Sequence, residues 1–239
     1  DDRDGWIWID GKLVPWREAN VHVLTHAMHY ASSVFEGQRA YGGVIFKLSE
    51  HSARLRKSAE LLGFELPWTV EEINEACNEV VKANGLTDPY VRPVAWLGSE
   101  KMGVSPKGTK PHMAIAAWDW GKYYAPEIAA NGLRLDIAPW RRPAPYTAPV
   151  HSKAAGLYMI ASLSKKHADE RGYDDALMFD WRGQVAEATG ANAFFVKEGK
   201  LFTPTPDCFL NGITRQTVID LARRLHIEVE ERAVWPDEL

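Results

Sequence analysis

Apolar and polar residues alternate in short runs through the first half of the chain, and turns containing glycine separate several of these runs. Alternation of this kind is typical of half-buried strands, and a two-residue glycine turn between two runs predicts a hairpin. Two hairpins and two longer strands are therefore expected: residues 6–9 with 12–14, residues 38–41 with 44–46, and strands 90–97 and 112–118.

Helical spacing occupies the intervals between these strands. Ser49 is the predicted N-cap of a helix that runs to residue 62. Thr69 and Glu72 have the spacing of a capping box, which predicts the start of the next helix. In the second half of the chain, helices are expected over residues 153–171 and 214–225.

Short apolar segments separated by turns also run through the second half of the chain. Strands are expected at residues 133–138, 176–180, 184–187, 192–197 and 200–203. Strands that mix with helices but begin as hairpins indicate an α+β protein rather than a doubly wound parallel sheet. We predict a small N-terminal domain, a linker and a larger, β-rich C-terminal domain: residues 1–121, 122–132 and 133–239.

Composition narrows the functional classes. With 46% hydrophobic and 25% charged residues, the chain has the profile of an ordinary globular protein. Its net charge of -4 argues against a nucleic-acid partner, and no apolar stretch is long enough to span a membrane. Only two cysteines occur, far apart, which favours a reduced, cytoplasmic protein. Residues 235–239 look like the first turn of a helix, so we expect the chain to continue beyond them.

Lys153 has an unusual neighbourhood for a lysine. Small and apolar residues flank it where a proline-rich loop meets a predicted helix. Desolvation at such a position favours the neutral amine, which is the form that attacks carbonyl groups. An ordinary surface lysine is the alternative interpretation, but the pattern makes Lys153 a candidate nucleophile.

Glu187 is an acid within a small, apolar segment. On an exposed edge strand it would need no partner, whereas a buried carboxylate requires one, because an unpaired buried charge is costly. A protonated pyridine nitrogen would be a suitable partner, and the pairing would make the ring an electron sink. The sequence leaves both interpretations open.

Two further segments have the chemistry to bind anions. Gly212 precedes the last predicted helix, and the backbone N–H groups of a helix N-terminus favour an anion; Thr189 and Gly190 could join the same cradle. Alternation places Tyr90 and Arg92 on one face of a strand, where the two side chains could bind a carboxylate.

Three histidines raise the question of a metal site. His26 and His29 are three residues apart, and His22 lies close by in the sequence. No convincing set of carboxylates or cysteines accompanies them, and metal sites usually need three protein ligands. We therefore expect no metal.

Taken together, these segments resemble the class IV, or fold-type IV, pyridoxal-phosphate aminotransferases, and among them the branched-chain amino acid aminotransferases. The resemblance runs in consistent order over essentially the whole chain. It is carried by residues 26–30, 102–104, 145–158 and 187–195, and by the motifs Val34-Phe35-Glu36-Gly37, Tyr90-Val91-Arg92-Pro93 and Gly212-Ile213-Thr214-Arg215.

The resemblance implies a two-domain fold of type IV and pyridoxal 5′-phosphate as the cofactor. It makes Lys153 the catalytic residue, which carries the cofactor and moves a proton between substrate and cofactor. Glu187 would pair with the pyridine nitrogen, and Tyr158 would hydrogen-bond the phenolic oxygen of the ring. The other residues of the implied cofactor site are Arg54, Thr189, Gly190, Asn192, Gly212, Ile213 and Thr214.

The phosphate ligands are implied in the same way. The family pattern selects Arg54, with Ile213 and Thr214, whereas periodicity alone does not separate Arg54 from Arg56 or Lys57. Family members also contribute a threonine-rich loop that follows the last residue of this chain. We therefore expect either a chain that continues or a homologue that binds its cofactor weakly.

Amino acids and 2-oxo acids are the implied substrates. Tyr90 would contact the α-carboxylate, and Arg92 the distal carboxylate of glutamate. Loops carrying Tyr30 and Val104 reach the neighbouring subunit's site in such enzymes, which implies a homodimer or a higher homo-oligomer. The remaining implied substrate-binding residues are Phe35, Gly37, Arg39, Trp120 and Tyr123.

The implied reaction moves the amino group of leucine, isoleucine or valine to 2-oxoglutarate by a ping-pong route. The nearest alternatives share the fold: a D-amino acid or amine transaminase, or an aminodeoxychorismate lyase. A non-catalytic homologue is a third alternative. The motifs around Phe35 and Tyr90 favour the branched-chain interpretation.

Overall fold

The chain divides into two compact units in a computed structural model that describes residues 2–121 and 131–239. One unit comprises Asp1–Tyr123 together with Ser152–Gly156, and the other comprises Tyr124–His151 with Leu157–Leu239. The predicted domains placed all of residues 133–239 together. The two divisions differ at Ser152–Gly156, because this short segment is hydrogen-bonded to residues of the first unit.

An antiparallel sheet organises the first unit. Among the described residues the strand order is β2-β1-β7-β6-β4-β5, and β3 pairs with another part of β6. The two longest strands, β6 and β7, pair along their whole length. The strand bounds are β1 Trp6–Ile9, β2 Lys12–Pro15, β3 Ser33–Phe35, β4 Gln38–Tyr41, β5 Val44–Ile45, β6 Tyr90–Leu97 and β7 Pro111–Trp118. Both predicted hairpins are confirmed.

Three helices accompany this sheet: α1 His26–Tyr30, α2 Leu48–Leu61 and α3 Val70–Ala83. Leu55 of α2 and Ile73 of α3 are fully buried in one cluster with Met113 and Ile115 of β7. Burial of these apolar side chains is the main driving force for packing the helices on the strands.

The two predicted helix starts have different outcomes. The capping box of α3 is confirmed, since Thr69 accepts from the backbone N–H of Glu72 and the Glu72 side chain accepts from the N–H of Thr69. The prediction that Ser49 caps α2 is wrong. Lys47 is the N-cap, in the left-handed conformation, and the Ser49 hydroxyl instead accepts a hydrogen bond from Asn74.

Two three-stranded sheets and two helices form the described part of the second unit. The first sheet has the order β10-β9-β8 and the second β11-β12-β13, each with one parallel and one antiparallel pair. The bounds are β8 Leu135–Ile137, β9 Asp175–Phe179, β10 Val185–Ala188, β11 Phe195–Lys197, β12 Lys200–Pro204, β13 Val229–Arg232, α4 Tyr158–Glu170 and α5 Ile213–Arg224.

The helix predicted from residue 153 begins later. Residues Ala155–Leu157 form a 3₁₀ turn, and α4 starts at Tyr158. The backbone of Ala154 instead forms a bridge with Val34 of β3, so the chain is extended at this point rather than helical. Lys153 therefore lies before the helix.

Two remaining features concern the ends of predicted elements and the membrane question. The strand predicted from residue 192 begins at Phe195, and the four-residue strand β13 was not predicted because its sequence is mostly polar. Within the described ranges, no helix combines the length and the apolar character that a bilayer crossing requires.

Thr69→Ala should lower the free energy of unfolding by about 1 kcal/mol, because the first turn of α3 loses its capping hydroxyl. Ser49→Ala is the matched control, since Ser49 does not cap α2, and it should have the smaller effect. Urea-induced unfolding followed by circular dichroism measures both. An equal or larger loss in Ser49→Ala would contradict the assignment of the caps.

His112 predicts a pH-dependent contribution to stability. Its Nδ1 lies 2.6 Å from Asp10 and its Nε2 2.7 Å from Glu100. Burial lowers the pKa of His112, but the hydrogen bonds to the two carboxylates outweigh this effect, so the pKa is raised above its ordinary value of 6.5. The stabilisation is complete below pH 6.5 and disappears as the pH rises through the raised value.

His112→Gln should therefore destabilise the protein more at pH 6 than at pH 9, in urea titrations at the two pH values. In the Asp10→Asn/Glu100→Gln background the difference between the two pH values should become small, because the protonated ring has lost its partners. An equal loss at both pH values in the native background would rule out this role.

Candidate active site

Lys153 is fixed at both of its backbone groups. Its N–H donates to the Ser58 hydroxyl of α2 at 3.0 Å, and its carbonyl accepts from the N–H of Phe35 at 3.1 Å. The Ser152 hydroxyl adds a bond of 2.8 Å to the Ser58 carbonyl. The half-buried Lys153 side chain places Nζ 5.0 Å from the centre of the Phe35 ring. A lysine on an irregular segment is thus held in place by a strand and a helix.

A fully buried carboxylate lies next to Phe35. Glu36 accepts from Arg54 Nε at 2.6 Å and Nη2 at 2.8 Å, and its Oε2 lies 2.7 Å from His51 Nδ1. Burial raises the pKa of Glu36, but the hydrogen bonds from Arg54 and His51, with the charges of Arg54 and Lys153, lower it further than burial raises it. The net effect is a lowered pKa, so Glu36 is an anion at neutral pH.

The face of β6 that carries Tyr90 and Arg92 joins this region. Arg92 Nη2 donates to the Tyr90 hydroxyl at 2.6 Å, and the guanidinium lies 4.7 Å from the centre of the Phe35 ring. Trp120 packs edge-on against Tyr90 at 4.6 Å. A Cβ at Gly37 would lie 2.2 Å from the Tyr90 hydroxyl, so only glycine permits this approach.

The other substrate-binding residues predicted in the first unit lie at exposed or partly exposed positions. Arg39 donates to the Gly121 carbonyl at 2.8 Å. Tyr30, at the end of α1, has its ring 4.7 Å from that of the buried His26. Val104 is 79% exposed. Tyr123 lies outside the described residues.

Glu187 is buried in the second unit, although β10 is an edge strand of its sheet. Its Oε1 lies 2.8 Å from Arg142 Nη2, and its Oε2 accepts from Asn192 Nδ2 at 3.0 Å. The structure therefore favours the interpretation in which the carboxylate is buried and paired. These two contacts restrict the orientation of the carboxylate.

The start of α5 lies beside Asn192. Gly212 is the N-cap and supplies no side-chain cap, so the first N–H groups of α5 are left to other acceptors. Asn192 also donates to the Leu210 carbonyl at 3.2 Å, and a Cβ at Gly212 would lie 2.2 Å from Asn192 Oδ1. Of the next two residues, Ile213 is buried and Thr214 is exposed.

The remaining predicted cofactor residues occupy different surroundings. The buried Thr189 hydroxyl lies 2.5 Å from an Asp175 carboxylate oxygen, to which it donates, whereas Gly190 is exposed after β10. Tyr158 is the first residue of α4 and packs against a small cluster that includes Met178. Thr189 thus already uses its hydroxyl within the unit.

The histidines considered for a metal have other partners. His26 Nδ1 pairs with the Ser32 hydroxyl, His29 Nε2 with the Val23 carbonyl, and His22 accepts from the N–H of Leu24. Within residues 2–121 and 131–239, the group with metal-ligand spacing is Asp180, Asp207 and Cys208. The Arg182 guanidinium already binds both of these carboxylates.

The sequence did not point to four residues that contact the predicted site residues within each unit. Arg142 pairs with Glu187, Glu36 and His51 surround the guanidinium of Arg54, and Ser58 anchors Lys153. One of these had a detectable signal: Glu36 is an acid that follows apolar Val34 and Phe35, and a buried acid requires a partner. The others depend on contacts between distant parts of the chain.

Comparisons with known proteins identify the family. The model of the amino-transferase class IV family matches residues 33–239. The chain belongs to the class IV aminotransferase family.

Individual relatives agree with this assignment. A probable branched-chain-amino-acid aminotransferase from Rickettsia bellii is 48% identical, over 98% of this chain and 80% of that protein. The branched-chain-amino-acid aminotransferase of Pseudomonas aeruginosa is 41% identical, over 100% of this chain and 79% of the relative. This class IV aminotransferase is thus a homologue of branched-chain enzymes along nearly its whole length.

A solved relative supports the fold. The T.th. branched-chain amino acid aminotransferase, determined with pyridoxamine 5′-phosphate, superposes with a TM-score of 0.95 at 40% identity, over 100% of this chain and 80% of that one. The prediction of an α+β, fold-type IV aminotransferase is therefore confirmed.

Arg142→Met should lower the free energy of unfolding of this class IV aminotransferase by about 3 kcal/mol, because it leaves the Glu187 carboxylate buried without its cationic partner. Adding Glu187→Gln should recover part of the loss. Arg141→Met is the matched control at an exposed neighbouring arginine, with an expected loss below about 1 kcal/mol. Urea titration of the four proteins tests this, and equal losses at 141 and 142 would contradict it.

Proposed function

We propose that the chain is a branched-chain-amino-acid aminotransferase. It moves the amino group of leucine, isoleucine or valine to 2-oxoglutarate, with pyridoxal 5′-phosphate as cofactor. The observation that carries this proposal is the 40–48% identity to enzymes of that name over 95–100% of the chain. The placement of Lys153 and Glu187 supports it.

The described residues fit the cofactor. Lys153 is fixed by its backbone, Glu187 is a buried and oriented carboxylate, and α5 begins without a side-chain cap. When bound, pyridoxal phosphate supplies an electron sink that stabilises negative charge at the substrate Cα. In our proposal Lys153 holds the cofactor and moves the proton at its Nζ, and Glu187 binds the ring nitrogen.

The remaining cofactor contacts follow the family pattern. Tyr158 would donate to the phenolic oxygen. By the family pattern Arg54 would bind the phosphate, and so would the first N–H groups of α5, at Ile213 and Thr214, as expected for an anion at a helix N-terminus. Thr189, Gly190, Asn192 and Gly212 complete this set, and Asn192 also orients Glu187.

One set of residues serves both an apolar amino acid and a diacid. The rings of Phe35, Tyr90 and Trp120 suit a branched side chain. Arg92, which we assign to the distal carboxylate of glutamate, already bonds Tyr90 and stacks on Phe35. Arg92 therefore keeps its hydrogen bond and its ring contacts when an apolar side chain binds. These contacts reduce the cost of holding a charge without a carboxylate partner. Gly37 and Arg39 complete the substrate contacts.

We further propose a homodimer or higher homo-oligomer in which Tyr30 and Val104 contribute to the partner's site. Large apolar side chains are exposed on these two segments: Val21, Val23, Leu24, Met28, Met102 and Val104. Exposed apolar side chains concentrated in this way are typical of interaction surfaces.

We assign the protein to the cytoplasm, since Cys77 and Cys208 are both buried and free.

A panel of amino donors tests the proposed function. The purified protein, supplied with pyridoxal 5′-phosphate, should convert L-leucine, L-isoleucine and L-valine with 2-oxoglutarate to glutamate, and Lys153→Ala should lose this activity by several orders of magnitude. Lys166→Ala, at an exposed lysine of α4, is the control and should be fully active. Activity on D-alanine but not on L-leucine would overturn the proposed substrate class.

The attachment of the cofactor is checked separately. Borohydride should fix pyridoxal phosphate permanently to the peptide that contains Lys153, as measured by mass spectrometry after digestion. The Lys166→Ala variant should be labelled in the same way, and Lys153→Ala should not. A protein that binds no cofactor and behaves identically with and without Lys153 would support the non-catalytic alternative.

A further inference from the structure

Glu36 is the most deeply buried charged group near Lys153, and neither the proposed chemistry nor the substrate contacts use it. It has no exposed surface, and both of its oxygens receive hydrogen bonds. Desolvating a carboxylate is expensive, and a well-packed apolar pair is often as stable as a buried ion pair. A role in orienting another residue accounts for a charge at this position.

The partners of Glu36 come from one face of α2. His51 and Arg54 are three residues apart, a spacing that places two side chains side by side on a helix. Arg54 approaches edge-on, with Nε on one carboxylate oxygen and Nη2 on the other, at 2.6 and 2.8 Å. Two parallel bonds fix the plane of the guanidinium as well as its position.

This geometry leaves one edge of Arg54 available. The Nε and Nη2 donors that face Glu36 lie on one edge of the planar guanidinium, and the Nη1 donors lie on another. We propose that Glu36 is a positioning residue for cofactor binding: together with His51 it holds Arg54 so that its Nη1 edge faces the phosphate. This inference rests on the proposed function, since it requires a phosphorylated cofactor.

The same contacts distinguish Arg54 from its basic neighbours, which the sequence pattern could not do. Arg56 donates through Nη1 to the carbonyls of Leu66 and Trp68 and thereby ties α2 to the following loop. Lys57 is exposed and pairs with Glu60. Among these three, Arg54 is the residue whose cation is held by a buried anion.

Charge balance gives the arrangement a second effect. The charges of Arg54 and Lys153 both lower the pKa of Glu36. The Glu36 anion therefore offsets positive charge in this region before any phosphate arrives. Without Glu36, Arg54 would be free to turn toward solvent, since its side chain is already 16% exposed.

The test compares pyridoxal 5′-phosphate with pyridoxal, which lacks the phosphate. Both are titrated into the cofactor-free full-length protein, and the absorbance change gives a Kd for each. In the native protein the phosphate should tighten binding strongly. In Glu36→Gln the ratio of the two Kd values should fall by at least about tenfold, since the charge-assisted contact is misplaced. The Kd of pyridoxal should change little.

Further variants separate positioning from folding. Arg54→Gln should reduce the ratio as well, and Glu36→Gln should add no further reduction in that background, because Glu36 acts through Arg54. Lys57→Gln removes a cation from the same helix and is the matched control, with an unchanged ratio. A general loss of structure would weaken the binding of both ligands to the same extent and leave the ratio of their Kd values unchanged.

The outcomes also separate this inference from the proposed function. If Glu36→Gln retains the native ratio while Arg54→Gln loses it, Glu36 is not a positioning residue. If Glu36→Gln does not fold, His51→Phe decides: a smaller reduction of the ratio supports the inference, and an unchanged ratio overturns it. A native protein that binds neither ligand would instead refute the proposed function and, with it, the inference.

Discussion

The position of Lys153 depends on two backbone hydrogen bonds made over a long distance in sequence. Its N–H reaches Ser58 on α2, and its carbonyl receives the N–H of Phe35 on β3. The amine of a long, flexible side chain can be positioned accurately only if the Cα is fixed, because four rotatable bonds already separate the Cα from the amine. The strand and helix that hold Lys153 also supply Phe35 and Arg54, so one set of bonds determines three positions.

Each unit contains a buried carboxylate near the predicted site residues, with an arginine beside it. Glu36 pairs with Arg54 in the first unit, and Glu187 pairs with Arg142 in the second. A buried ion pair contributes little net stability compared with apolar packing, but breaking it is costly. These pairs therefore act on orientation more than on the stability of the fold. Each carboxylate also has a second side-chain partner, His51 or Asn192, that further restricts it.

Local signals in the sequence predicted local structure well. The hairpins and the Thr69 capping box depend on residues a few positions apart, and the structure has them. Two predictions were wrong because contacts distant in sequence decide the structure there: the N-cap at Ser49 and the helix start at residue 153. Asn74, which is 25 residues away, donates a hydrogen bond to the Ser49 hydroxyl. Val34 of β3, which is 120 residues away, forms a backbone bridge with Ala154. Contacts made across such distances override local propensity.

The return of Ser152–Gly156 to the first unit has a consequence for biosynthesis and for protein engineering. The polypeptide leaves that unit, begins the second, comes back for five residues and departs again. A chain emerging from the ribosome therefore completes its N-terminal unit only when residue 156 is available, and closing so long a loop slows folding. A fragment that ends at residue 121 would carry β3 and α2 without the segment they bind. A non-contiguous unit of this kind is therefore poorly suited to expression as an isolated domain.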